Sequence, residues 1–199
     1  MQDVSAFILA GGKSTRMGSD KALVEFDGET LLSRALLKAR TVASRACIVG
    51  AREKFELFGP VIEDLYPERG PLGGIHAALQ ASNTELNLVL AVDMPFLPEA
   101  ALKYIVVQAW GCDAVVTVPR VAGFYQTLCA VYRLEFAELA EEALRAGHNK
   151  IDPLYARTSV RIIEEAELAE VDIFPAMFDN LNTPQDLERA VRTQPARTS

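Results

Sequence analysis

The chain has 199 residues, half of them hydrophobic, and a formal net charge of −7. That size buries a full core in one domain and would leave two cramped, while the acidic balance argues against a general nucleic-acid or acidic-membrane surface. No apolar stretch reaches the length of a membrane span, and no basic N-terminal region precedes a cleavable hydrophobic segment, so a cytoplasmic protein is expected.

Strand-length apolar runs recur at Val4–Leu9, Ala46–Val49, Leu86–Val92, Ala114–Val118, Leu128–Tyr132 and Val160–Ile163, separated in several places by amphipathic helical segments. The alternation reads as α/β, and near-continuous apolar strands suit a mostly parallel sheet covered on both faces. The first run passes directly into Ala10-Gly11-Gly12-Lys13-Ser14-Thr15-Arg16-Met17-Gly18-Ser19-Asp20-Lys21. Paired glycines after a buried strand let backbone approach a ligand, and their amides can face phosphate oxygens. Arg16 can fork onto two such oxygens, and Lys21 supplies a compact charge for a leaving phosphate. Neither a Walker loop nor a dinucleotide fingerprint is present.

Thr30 is placed to cap a helix whose Leu31, Leu32, Ala35, Leu36, Ala39 and Val42 share the face that packs on the sheet. After the second strand, Gly70-Pro71-Leu72-Gly73-Gly74 offers side-chain-free backbone to a flat base or sugar, and a helix is expected to start after Gly74. Asp64 can accept from the amine and ring N–H of guanine, or be a loop carboxylate without a ligand. Asp93 follows the Leu88–Val92 run. A carboxylate at a strand end beside a triphosphate is the hard donor Mg²⁺ accepts together with phosphate oxygens and water; a turn cap is its blander reading.

Further helices are expected near Pro98-Glu99, over Leu134–Arg145 and after Pro184, where Thr183, Pro184 and Asp186 form a helix-start signal. Asp179, Asn180 and Asn182, just before it, can touch a second substrate or a metal-bound water. A single domain is expected over residues 1–191, with a disordered tail at 192–199. Cys47, Cys112 and Cys129 lack metal or redox spacing, and neither His76 nor His148 has a sequence partner that would make it a base.

With these residues assembled, the chain resembles the molybdenum cofactor guanylyltransferases, within the nucleotidyltransferases of three-layer, Rossmann-like, glycosyltransferase-A-type fold. The likeness spans nearly the whole chain through Leu9-Ala10-Gly11-Gly12, Arg16-Met17-Gly18, Asp20-Lys21, Gly70-Pro71-Leu72-Gly73-Gly74, Asp93-Met94-Pro95 and Asn180-Leu181-Asn182-Thr183-Pro184. It implies that Leu9, Ala10, Gly11, Gly12 and Lys21 bind GTP, that Asp64 helps recognise the nucleotide, and that Asp93 binds both GTP and Mg²⁺. It also implies that Gly123–Gln126 and Gly147–Lys150 lie where the family approaches its pterin. Family members often place a nucleotide-binding asparagine after the second strand; here the chain reads Val49-Gly50-Ala51-Arg52, leaving a Gly50 or Ala51 amide to substitute.

The implied reaction is attack by the terminal phosphate of molybdopterin on the α-phosphate of MgGTP, releasing pyrophosphate and forming the guanine dinucleotide cofactor. Asp93 would serve the metal, Arg16 and Lys21 the phosphates, and in-line positioning would replace a general base. The resemblance further implies transient contact with cofactor-biosynthesis or acceptor proteins. Cytidylyl transfer to a pterin, nucleotidyl transfer to a sugar phosphate, and a GTP-binding cofactor-delivery protein without turnover stay open.

Overall fold

The computed structural model describes residues 3–11, 20–183, 185 and 186. Gly12, Lys13, Arg16, Met17, Gly18, Pro184 and the expected tail lie outside the described residues, as does all but the first part of the last expected helix. In chain order the elements are β1 (Val4–Leu9), a 3₁₀ turn (Lys21–Leu23), β2 (Glu25–Phe26), β3 (Glu29–Thr30), α1 (Leu31–Arg40), β4 (Arg45–Val49), α2 (Arg52–Phe55), β5 (Val61–Ile62) and α3 (Pro71–Gln80). They continue with β6 (Leu86–Ala91), α4 (Glu99–Trp110), β7 (Val116–Val121), β8 (Phe124–Tyr125), β9 (Cys129–Tyr132), α5 (Phe136–Arg145), a 3₁₀ segment (Asp152–Arg157), β10 (Val160–Glu164), α6 (Glu165–Ala169) and a 3₁₀ turn (Pro175–Phe178).

The main sheet runs β10-β7-β9-β6-β1-β4-β5, with β8 paired to β7. Pairing is parallel from β6 through β1 and β4 to β5, and between β7 and β10; β9 is antiparallel to both its neighbours and β8 to β7. The expected mostly parallel sheet is therefore present. Alternation along β1 divides the core in two: Ala6 and Ile8 pack with Leu32, Leu36, Leu102 and Ile105 of α1 and α4. Phe7 and Leu9 pack on the other face with Ile75, Phe136 and Ala140 of α3 and α5. Both faces are covered, giving three layers, and each large apolar side chain so buried contributes about 1.5–3 kcal/mol.

Two boundaries differ from expectation for identifiable reasons. Helix α3 starts at Pro71, not after Gly74, because Gly70 turns the chain at φ +67° and Pro71 presets the first helical φ. The fourth of the six runs starts and ends later than its apolar stretch, at Val116 and Val121, where its pairing with β8 and β10 continues past Pro119.

Candidate active site

Register brings the site together. Leu9 is paired with Val49 on one side and Ala91 on the other, so the segments leaving β1, β4 and β6 emerge side by side at the carboxyl edge of the sheet. Antiparallel β9 begins at the same edge, where the Ala91 amide donates to the Leu128 carbonyl at 2.7 Å. The result is a cleft of about 1120 Å³ whose lining includes Leu9, Ala10, Gly11, Lys21, Asp64 and Asp93. Ligands of open α/β sheets bind at this edge.

At the floor of the cleft, Lys21 Nζ donates to Asp93 Oδ2 at 2.5 Å and to Asn182 Oδ1 at 2.7 Å. Lys21 opens a 3₁₀ turn capped by Asp20, whose Oδ1 accepts from the Ala22 amide while Oδ2 accepts from Lys54. Asp20 thus fixes the turn that carries the lysine. Asp93 Oδ1 is buried and has no hydrogen-bond partner among the described residues. A hard carboxylate oxygen left without a donor at the floor of this cleft fits Mg²⁺. No group of three His, Cys, Asp or Glu among the described residues could hold a metal, so any cation at Asp93 draws its other ligands from elsewhere. The loop after Asp93 is braced by Lys38, which donates to the Pro95 carbonyl at 2.5 Å. Burial, reinforced by Arg34 and opposed by Glu99, pushes the Lys38 ammonium down to about 8.

The amides of Ala10 and Gly11 both donate to the Val49 carbonyl, at 3.0 and 3.2 Å. They stitch β1 to β4. The Gly50 amide is likewise engaged, by Ile62 at 3.0 Å. It therefore does not replace the missing asparagine.

Asp64 lines the cleft half-buried, with Oδ1 accepting from the Tyr66 amide at 2.8 Å. Burial raises its carboxyl above the usual range, against the pull of that amide and of His76. Gly70, Pro71 and Gly74 line the cleft, whereas Gly73 does not. Gly73 and Gly74 lie buried inside α3, and a Cβ on Gly73 would stand 2.7 Å from Asp64 Oδ2, one on Gly74 3.2 Å from Leu9 Cδ2. Both positions require close packing, Gly73 against Asp64 and Gly74 against Leu9.

Asn180 lines the cleft; Asp179 is exposed and ends the Pro175–Phe178 turn. The opposite wall is Tyr125, Gln126, Thr127 and Leu128, of which Thr127 and Leu128 carried no sequence signal beyond an apolar run. Tyr125 packs edge-on against Tyr155 with ring centroids 5.2 Å apart, and the Tyr155 hydroxyl bonds that of Tyr132 at 2.9 Å. Gly147–Lys150 are exposed and absent from the lining. His76 is a buried α3 side chain edge-on to Tyr66 with ring centroids 5.3 Å apart. Among the described residues no helix is long and apolar enough to cross a membrane.

The chain matches a family model described as the MobA-like NTP transferase domain over residues 6–164. A protein of Pelotomaculum thermopropionicum named probable molybdenum cofactor guanylyltransferase is 37% identical, over 100% of this chain and 97% of its own. The molybdenum cofactor guanylyltransferase of Desulfosudis oleivorans is 35% identical, with 96% and 95% covered. Among solved structures, the molybdopterin-guanine dinucleotide biosynthesis protein A of Archaeoglobus fulgidus superposes with a TM-score of 0.82 at 28% identity, covering 94% of this chain and 96% of that one. The 4-diphosphocytidyl-2C-methyl-D-erythritol synthase of Anaerococcus prevotii, at 13% identity and a TM-score of 0.71 over 95% and 94%, shares the fold alone. Matched over most of its length by one family model and end to end by full-length relatives, the chain belongs to the MobA-like NTP transferase family.

Proposed function

We propose that this chain transfers GMP from GTP to the terminal phosphate of molybdopterin or its metal-loaded form, releasing pyrophosphate and forming the guanine dinucleotide cofactor. The observation that carries this reading is the meeting of Lys21 and Asp93, 72 residues apart in sequence, beside Leu9–Gly11 in one cleft. The relatives' names supply the nucleotide and the acceptor; the cleft supplies the chemistry. Lys21 gives a positive charge for the triphosphate and for the pyrophosphate as it departs. Arg16, by its residue type and its place in the same loop, is assigned to those phosphates as well.

Asp93 is the residue that would hold Mg²⁺, which when bound neutralises phosphate charge and completes its coordination from phosphate oxygens and water. Its partnerless Oδ1 supports that assignment. The acceptor phosphate is ionised and already nucleophilic, so the protein supplies alignment rather than a base. Asp64, in the cleft lining, is assigned to the base. The Tyr125–Leu128 wall is assigned to the acceptor, because a cleft of about 1120 Å³ is at the upper end of single-ligand pockets and two substrates must lie in line within it. Such a GTP-consuming step belongs in the cytoplasm, with acceptor enzymes as transient partners.

A pyrophosphate-release assay crossing four nucleoside triphosphates with molybdopterin and sugar-phosphate acceptors tests the reading. GTP with molybdopterin is expected to turn over fastest. Preference for CTP or for a sugar phosphate overturns the assignment, and stoichiometric GTP binding without pyrophosphate points to a carrier.

A further inference from the structure

The three side chains at the end of β6 are unequally satisfied. The Lys21 ammonium has two oxygen partners, Asp93 Oδ2 and Asn182 Oδ1, whereas Asp93 Oδ1 has none among the described residues. Asn182 is itself anchored from behind. Its amide donates to Asp186 Oδ2 at 3.1 Å, the Thr183 amide donates to the same oxygen at 2.9 Å, and the Leu181 amide donates to the Asp93 carbonyl at 3.0 Å. One short segment is thereby tied to the Asp93 backbone and holds the cation that faces the Asp93 side chain. Lysine carries about 2 kcal/mol of rotamer entropy, so a fixed acceptor beside its ammonium lowers the cost of keeping it there.

A divalent cation approaching Asp93 Oδ1 meets that ammonium across the same carboxylate. Two unit charges 4 Å apart repel by about 4 kcal/mol at an effective dielectric of 20, and a divalent ion doubles the term. Among the described residues no group of three His, Cys, Asp or Glu stands there to offset it. A triphosphate changes the balance, because it attracts the ammonium and brings its own oxygens to the cation.

Resting on the reading of Lys21 and Asp93 as nucleotide and cation ligands, we infer that Asn182 is a positioning residue for Lys21. It holds the ammonium on Asp93 in the nucleotide-free protein, so that a divalent cation enters only together with the triphosphate. It then keeps the ammonium within reach of the phosphates once the cation has taken Asp93.

Manganese binding followed by the electron paramagnetic signal of free Mn²⁺ tests this, with and without GTP, on wild type, Lys21→Met, Asn182→Ala and the double variant, each checked for folding by its melting temperature. Wild type is expected to bind Mn²⁺ only when GTP is present. A tenfold change corresponds to about 1.4 kcal/mol, less than the repulsion removed, so Lys21→Met should bind Mn²⁺ alone at least about tenfold more tightly than wild type. Asn182→Ala should weaken Mn²⁺–GTP binding in the wild-type background and change nothing in the Lys21→Met background. Asn182→Ser replaces the alanine variant if that one does not fold. Wild type taking up Mn²⁺ alone as tightly as Lys21→Met overturns the inference, and so does an equal Asn182 effect in both backgrounds. Failure of wild type to bind Mn²⁺–GTP at all overturns the functional reading together with it.

Discussion

Gly73 sits so close to the carboxylate of Asp64 that a Cβ there would stand 2.7 Å from Oδ2 and 2.9 Å from Oδ1, with the Tyr66 carbonyl at 3.1 Å. Helix propensity alone says that Gly→Ala inside α3 stabilises by about 1 kcal/mol. Overpacking says the reverse, at about 1–3 kcal/mol. The Asp64 side chain is held by the Tyr66 amide and cannot yield freely, so Gly73→Ala is expected to lower stability in urea denaturation and to weaken GTP binding. A more stable variant with unchanged GTP affinity would show that Asp64 has room to move.

Asp64→Asn keeps the shape of the side chain and replaces one acceptor oxygen by an amine. Guanine offers an amine and a ring N–H on one edge, and adenine lacks that donor pair. The variant is therefore expected to lose GTP affinity by about 1.5–3 kcal/mol, the range for hydrogen bonds to a charged group, and to lose much less for ATP. Equal losses for both nucleotides in parallel titrations remove Asp64 from base recognition.

The parts of the molecule legible in sequence are those where local pattern and tertiary packing agree. Strands β1 and β6 are apolar runs interrupted only by Ser5 and Asn87, and Thr30 caps α1 as its residue type and position predict, accepting from the Ser33 amide at 3.1 Å. Helix α3 itself is legible, but its first turn is not, because Pro71, Gly73 and Gly74 read as a loop by propensity. What requires glycine at 73 and 74 is non-local: Asp64 and Leu9 occupy the space where side chains would stand. The same holds at Gly50, where a Cβ would stand 2.9 Å from the Phe55 ring and the amide is engaged by Ile62. Within the site, Lys21 and Asp93 were readable from motif and strand-end position. The Lys21–Asn182 bond spans 161 residues and has no periodicity to announce it.

Truncating Lys21 or Asp93 removes charge aimed at the reacting phosphates. Lys21→Ala and Asp93→Ala are each expected to reduce turnover by about 10²–10³ while the protein stays folded. Because the two side chains share one hydrogen bond, the double variant should lose less than the product of the single effects. Wild-type turnover in either folded single variant contradicts the assigned roles.

His76 links stability to pH. Its imidazole is buried in α3 and neither ring nitrogen has a hydrogen-bond partner among the described residues. Burial pushes its pKa below the ordinary 6.5, against the carboxylates of Glu141 and Asp64 and with a smaller contribution from Arg145 in the same direction as burial. Below that ordinary value the unfolded chain takes up a proton that the native state resists, so the unfolded state binds more protons and stability rises with pH. The contribution is intact above the unfolded pKa and is lost as pH falls toward the folded one. His76→Phe keeps a ring against Tyr66 without the titration. Urea denaturation at about pH 7.5 and about pH 5.5 should show a smaller acid-side loss in the variant than in wild type; equal losses would mean that His76 protonates freely in the native state.

Tyr125 is the aromatic ring best placed to receive a flat acceptor. It lines the cleft on the two-residue strand β8, and its ring is buttressed by Tyr155, itself fixed through the hydroxyl of Tyr132, which donates its one proton to the Thr127 carbonyl at 2.8 Å and so accepts from Tyr155. A braced ring loses little entropy when a second ring stacks on it, and stacking of a heterocyclic base on an aromatic side chain is worth about 1–3 kcal/mol. Tyr125→Ala should therefore raise the KM for molybdopterin by roughly tenfold or more, leave the KM for GTP within about twofold, and be rescued by Tyr125→Phe, since the stacking face and not the hydroxyl is at work. If both KM values rose together, Tyr125 would be holding the cleft open instead of contacting the acceptor; if only the GTP value rose, the nucleotide and acceptor walls would be exchanged.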